Sequence, residues 1–147
     1  IYNLLHWGLG ICSLKVPNRR FPGFDGEWES KKLGDLANVS SGGTPNRANP
    51  LYWNGNIPWI STTLIDFNYI DKSEEYITEE GLKNSSAKLF PIGTLLMAMY
   101  GQGKTRGKIS ILNIEATTNQ ACGAIITNQE ILNPVFVFQT QQNWIRI

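Results

Sequence analysis

Leu95-Leu96-Met97-Ala98-Met99-Tyr100-Gly101-Gln102-Gly103-Lys104-Thr105-Arg106-Gly107-Lys108 is the stretch on which the rest of the chain is arranged. An apolar run leads into a loop with three glycines, and cations follow at alternate positions. Ile109-Ser110-Ile111-Leu112 then returns to apolar, β-branched residues. That order predicts strand, turn, strand. Alternate residues of an extended segment share a face, so Lys104, Arg106 and Lys108 are expected to project together, with Tyr100 and Gln102 in the same parity. A row of cations beside glycines suits an anionic polymer.

The same residues satisfy a loose phosphate-loop pattern, with Ala98 where the first glycine belongs and Gly103-Lys104-Thr105 at the end. A working phosphate loop needs a helix starting at the lysine, so that N-terminal amides face the phosphates. Here Gly107, Ile109 and Ile111 follow, which favour a strand over a helix. Nucleotide binding is therefore not expected.

The 14 glycines and 7 prolines predict many short elements in one domain with an ordinary core. The net charge of +1 selects no partner, but its distribution is uneven. Residues 81–114 contain no acid and five cations, whereas residues 66–80 hold six acids and one lysine. His6 is the only histidine, which leaves histidine-based catalysis and metal binding almost no material. Cys12 and Cys122 form neither a metal spacing nor a disulfide framework, so a reduced, cytoplasmic setting is expected. No apolar run is long enough to span a membrane. Residues 1–14 lack the basic start and cleavage site of a signal peptide.

Farther along, Leu33 to Ala37 predicts one helical turn, and 40–45 a loop. Residues 57–61 predict a short strand whose Pro58 suggests an edge or first position. Thr78-Glu79-Glu80 predicts a helix start, shortened by Gly81. Residues 94–100 and 121–127 are expected strands, 115–120 a polar loop, and 134–145 a helix opened by Asn133-Pro134. Phe90, Leu95, Leu96, Met97 and Cys122 are expected in the core, and Trp28, Trp53 and Trp59 in packing rather than base stacking.

Phe21-Pro-Gly-Phe-Asp-Gly-Glu-Trp28 followed by Leu33-Gly-Asp-Leu36 resembles the opening of a target recognition domain from the specificity subunit of type I restriction–modification enzymes. Ser41-Gly-Gly-Thr-Pro45, Ile57-Pro-Trp-Ile-Ser61, Ser85-Ser-Ala-Lys-Leu-Phe-Pro91, the Gly101 to Lys108 loop and Ala116-Thr-Thr-Asn-Gln-Ala-Cys122 continue the resemblance in the family's order. It implies a β-rich α+β domain with several short helices and a glycine-rich hairpin. It also implies a module that reads half of a split target on double-stranded DNA. Partner methyltransferase (M) and restriction (R) subunits would supply the chemistry, so no catalytic residue, cofactor or metal is expected in this chain. We expect residues 1–18 to be a non-native or poorly ordered lead-in, and 19–147 a recognition domain truncated at its C-terminus, without spacer helices.

Within that frame Lys104, Arg106 and Lys108 are expected phosphate contacts. Gln102, Thr105, Asn119 and Gln120 are expected at base edges, where amides match the donor–acceptor pair of adenine. Ser41, Gly43 and Thr44 are expected to offer groups to a phosphate, and Tyr100 and Thr118 to complete the DNA-facing set. The plainer reading of 117–120 is a loop capped by its own side chains. A metal site built from Asp66, Asp71, Glu74 and Glu75 lacks binding-loop spacing. Asn119-Gln-Ala-Cys122 lacks the prolines and aromatic of an adenine-methylating motif. The alternative function is a protein-interaction module using Trp28, Tyr52 and Trp53, which salt dependence of binding distinguishes.

Overall fold

The computed structural model describes residues 31–101 and 105–144. The expected lead-in at 1–18, the motif at 21–28, His6, Cys12 and the last expected helical residue, Ile145, lie outside the described residues.

The apolar run forms β5 (Leu95–Ala98), and the run after the glycines forms β6 (Ile109–Leu112). They pair antiparallel, with Leu95 facing Ile111 and Met97 facing Ile109. Residues 102–104 of their connection lie outside the described residues, so the glycine-rich hairpin stays an expectation. On its other side β5 pairs antiparallel with β8 (Cys122–Thr127), which pairs in turn with β1 (Ala37–Ser41). A two-residue strand, β3 (Tyr69–Ile70), joins β6 in parallel. The order is β1-β8-β5-β6-β3.

A second sheet holds β4 (Glu75–Ile77), β2 (Trp53–Ile60) and β7 (Thr117–Thr118), with β2 in the middle. This corrects two expectations. Pro58 does not mark an edge strand: the ladder to β7 begins one residue later, at Trp59 opposite Thr117. The Pro58 carbonyl accepts from the Thr117 hydroxyl at 2.9 Å, so the proline stands where its missing N–H interrupts no ladder to β7. Residues 115–120 are not simply a polar loop, because Thr117 and Thr118 are fully buried. Threonine's branched side chain tolerates a strand as readily as its hydroxyl suits a loop.

Leu95 and Leu96 point to opposite faces of β5, and both are buried. Such a continuous apolar strand needs cover on both sides. Leu96, Ala98, Leu112, Cys122 and Ala124 pack with Ile60 of the second sheet and with Phe90. Leu95, Ile109, Ile111 and Ile125 pack with Val137 and Phe138 of α3 (Pro134–Trp144). The larger sheet is thus the middle layer. Ser110, the one polar residue of β6, spends its hydroxyl on Asn68 Oδ1 at 2.5 Å and on the Asp66 amide at 3.2 Å.

The short helices follow their local signals. α1 (Leu33–Leu36) is a single turn leading directly into β1. In α2 (Glu79–Lys83) the Thr78 hydroxyl accepts from the Gly81 amide at 3.0 Å, and Glu79 and Glu80 occupy the first turn. Gly81 is there for contact as well as length, since a Cβ on it would lie 2.5 Å from the Tyr52 carbonyl oxygen. Asn133 Oδ1 accepts from the Val135 amide at 2.8 Å to open α3. Two 3₁₀ turns, Pro50–Tyr52 and Thr62–Leu64, flank β2.

Because Leu96 is fully buried, Leu96→Ala is expected to cost about 2–5 kcal/mol in transfer and cavity terms. Leu51→Ala, at an exposed position, is expected to stay within about 0.5 kcal/mol of wild type. Urea denaturation of the two variants checks the contrast.

Candidate functional site

Strand register places three loops at one end of the larger sheet. Ser41 faces Gly123, Gly123 faces Met97, and Met97 faces Ile109. The exits of β1 and β5 and the entries of β8 and β6 therefore share one level. The segments 42–45, 119–121, 99–101 and 105–108 all emerge there.

The first loop is locked by close approach. A Cβ on Gly42 would lie 2.0 Å from the Thr118 carbonyl oxygen, and one on Gly43 2.3 Å from Ser86 Oγ. The Gly43 amide donates to the Thr118 carbonyl at 2.8 Å, and its carbonyl accepts from Trp59 Nε1 at 3.0 Å. This corrects the expected role of Gly43: its N–H is committed within the fold and not offered to a phosphate. One residue on, the Thr44 hydroxyl donates to Gln120 Oε1 at 2.6 Å, joining the first loop to the second. Ser41 is exposed beside them.

Behind this loop the Arg47 guanidinium stacks 3.8 Å over the Trp53 ring and 4.7 Å from the Trp59 ring. The two tryptophans meet edge to face at 5.3 Å. The other side of Arg47 binds both carboxylate oxygens of Glu75, Nη2 to Oε2 at 3.0 Å. Hydrogen bonding to Arg47 holds the Glu75 carboxyl below its ordinary range, and the same contact raises Arg47. Trp53 Nε1 donates to the Asn46 carbonyl at 3.2 Å. Trp53 is thereby spent on internal packing, as is the Tyr52 backbone against Gly81, which disfavours an aromatic docking surface there. Trp28 lies outside the described residues.

In the second loop Asn119 Oδ1 accepts from the Ala121 amide at 3.0 Å, so the self-capping reading holds for that oxygen. Gln120 is exposed. Thr118, expected in the DNA-facing set, is instead buried in β7, and its hydroxyl donates to the Asn119 carbonyl at 3.1 Å. Burial also pushes the neighbouring Cys122 thiol up to about 11, an inert core group.

In the third loop the described residues 105–108 do not form an extended row. The Gly107 amide donates to the Ala98 carbonyl at 2.8 Å, the Lys108 amide closes a turn onto Thr105 at 3.1 Å, and Gly107 has φ of +86°. A turn breaks the alternation on which a shared face depends. Lys108 is half-buried and ion-paired with Asp66, whereas Arg106 is exposed. Thr105 is half-buried and lies against Gly101. Gln102 and Lys104 lie outside the described residues. After Thr105 the chain makes a turn and then β6, where a nucleotide loop places a helix. Three of the four acids named for a metal site have separate partners: Asp66 with Lys108, Asp71 with Asn113 and Glu75 with Arg47.

Two functional candidates escaped the sequence reading. Lys88 Nζ donates to Ser40 Oγ at 2.7 Å, which brings a cation next to the β1 exit. Arg47 clamps the first loop from behind. Neither has a local pattern, since each is joined to its partner by the fold alone.

The profile of the family described as the type I restriction modification DNA specificity domain matches residues 25–146. The chain belongs to that family. It is 37% identical over 112 residues to the EcoR124I/EcoR124II specificity subunit of Escherichia coli, covering 74% of this chain and 27% of that protein. It is 32% identical over 120 residues to the MjaIX specificity subunit of Methanocaldococcus jannaschii, covering 78% and 27%. The specificity-domain fold recurs in the HsdS subunit of Thermoanaerobacter tengcongensis, with a TM-score of 0.62 at 14% identity over 84% of this chain and 30% of that one. The chain thus spans about a quarter of the length of the curated relatives it matches.

Two expectations test the site. The lowered Glu75 carboxyl contributes stability above the unfolded carboxylate pKa of about 4.3, and that contribution is lost as pH falls through the folded value. Both partners are substantially exposed, so Glu75→Gln is expected to cost at most about 1 kcal/mol at pH 7. In denaturation midpoints measured from pH 7 to pH 3, the gap between wild type and variant should close below about pH 4. Equilibrium dialysis with ATP and Mg²⁺ is expected to give no saturable binding.

Proposed function

We propose that this chain reads DNA: it recognises one half of a bipartite double-stranded target within a type I restriction–modification specificity subunit. It directs partner methyltransferase and restriction subunits there and supplies no catalytic group, metal or cofactor of its own. Residues 19–147 form the recognition domain, after a lead-in at 1–18, and the assembly works in the cytoplasm. The observation that carries the reading is the convergence of three loops on the level where Ser41, Gly123, Met97 and Ile109 stand side by side.

The groups at that level divide by chemistry. Arg106 and Lys88, with the hydroxyls of Ser40 and Ser41, are suited to phosphate oxygens, which position a protein without specifying sequence. Gln120, steadied by Thr44, and Asn119 carry the amides suited to base edges. Gln102 and Lys104 belong to the third loop in this proposal, and Lys108 serves it mainly through its pair with Asp66. Family membership supports the DNA reading as a whole.

A module reading a few base pairs gains limited discrimination, so the isolated chain is expected to bind duplexes weakly. A Kd of about 10⁻⁴–10⁻⁶ M at physiological salt is typical of the non-specific electrostatic term. Arg106→Ala is expected to weaken binding similarly on every sequence and to reduce the salt slope by about 1. Lys108→Ala should change it less. Fluorescence anisotropy over a panel of duplexes and salt concentrations measures both. Affinity and slope left unchanged by the joint Lys88→Ala, Arg106→Ala variant would remove the phosphate role of this end of the sheet. Nanomolar, sequence-selective binding would instead show that the chain needs no partner.

A further inference from the structure

Tyr100 has the most exposed large apolar side chain among the described residues, at 69% accessibility, and the adjoining Met99 is exposed as well. One exposed aromatic is ordinary. The mounting of this one is not. The Met99 amide donates to the Ala121 carbonyl at 2.9 Å, in the loop that carries Asn119 and Gln120. Met99 also lies over Gly123, where a Cβ would meet its sulfur at 3.1 Å. Directly after the tyrosine, Gly101 adopts φ of +135°, which side chains rarely accept, and a Cβ there would meet Thr105 at 3.0 Å. The backbone is therefore held just before a ring left in solvent, and just after it takes a conformation that suits only glycine.

We propose that Tyr100 is a stacking residue for DNA: its ring packs on the face of a base at a step opened within the target, backed by Met99. The proposal rests on the DNA reading above and adds a contact of a different kind. Phosphate and edge contacts leave the base stack intact, whereas an apolar side chain seated against a base face requires a partly unstacked step. Every base presents a π-face, so this contact is tolerant of base identity. It favours steps that open easily, and deformability thereby becomes part of what the domain selects. The Met99 to Ala121 bond, one residue before Tyr100, lets one loop end grip the face of a base while its neighbour addresses an edge.

The test titrates the chain, Tyr100→Phe and Tyr100→Ala against two duplexes of one sequence, fully paired or with a central mismatch, at several salt concentrations. A mismatch lowers the cost of unstacking. Wild type and Tyr100→Phe are expected to bind the mismatched duplex about tenfold more tightly, the scale of one base–aromatic stack. Tyr100→Ala should bind both alike, with an unchanged salt slope and an unchanged denaturation midpoint. A wild type that binds both duplexes equally, or a Tyr100→Ala that keeps the preference, overturns the stacking role and leaves DNA binding intact. A wild type that binds neither duplex at low salt overturns the DNA reading and this inference with it.

Discussion

The backbone of Gly43 ties the end of the larger sheet to the smaller one. Its N–H reaches β7 at the Thr118 carbonyl, and its C=O takes the indole N–H of Trp59 from β2. Both partners belong to the smaller sheet, while the residues just before Gly43 end β1 of the larger one. No side chain fits at Gly42 or Gly43, because a Cβ would enter the backbone of Thr118 or the Ser86 segment. The contact is made by backbone at close range, which only glycine permits. Everything at the loop end inherits its precision from that contact, including the Thr44 to Gln120 bond and the stance of Arg47 behind it.

Arg47 shows how charge is handled in this molecule. The acidic segment 66–80 and the basic segment 81–114 suggest opposed faces in the sequence. In the fold, Asp66 and Glu75 are drawn into pairs with Lys108 and Arg47, so part of the asymmetry is neutralised internally. Arg106 remains exposed at the loop end, and Lys88 reaches it through Ser40. A few placed cations, rather than a dense basic stripe, match a domain whose formal charge is close to neutral.

Local signals were legible wherever a single turn or strand decides them. The Thr78 cap, the Asn133-Pro134 helix start and the apolar runs of β5, β6 and β8 all stand as their residues suggest. Pairings between distant segments were not legible. Nothing around Tyr69 announces a parallel partner in β6, and Pro58 argues for an edge until β7 is seen to begin beside Trp59. Alternation has meaning only inside an extended element, and from Thr105 to Gly107 the chain turns before β6 begins, so Arg106 and Lys108 are not held in one extended row. Of the candidate site, the resemblance supplied Ser41, Thr44, Asn119 and Gln120. Arg47 gave no signal, and Lys88, although inside the Ser85 to Pro91 motif, had no role assigned, because their partners are far away in sequence.

The strand order also dictates a timetable. β5 and β6 are close in sequence and can pair soon after both leave the ribosome. Of the described strands β1 is made first, yet its neighbour in the finished sheet is β8, the last of them. At on the order of 5–20 residues per second, β1 waits seconds for that neighbour, and one edge of β5 stays open for part of the interval. An unpaired apolar strand is where nascent chains stick to one another. The brevity of β5, β6 and β3, each four residues or fewer, keeps that hazard small until β8 slides between β1 and β5 and closes the sheet.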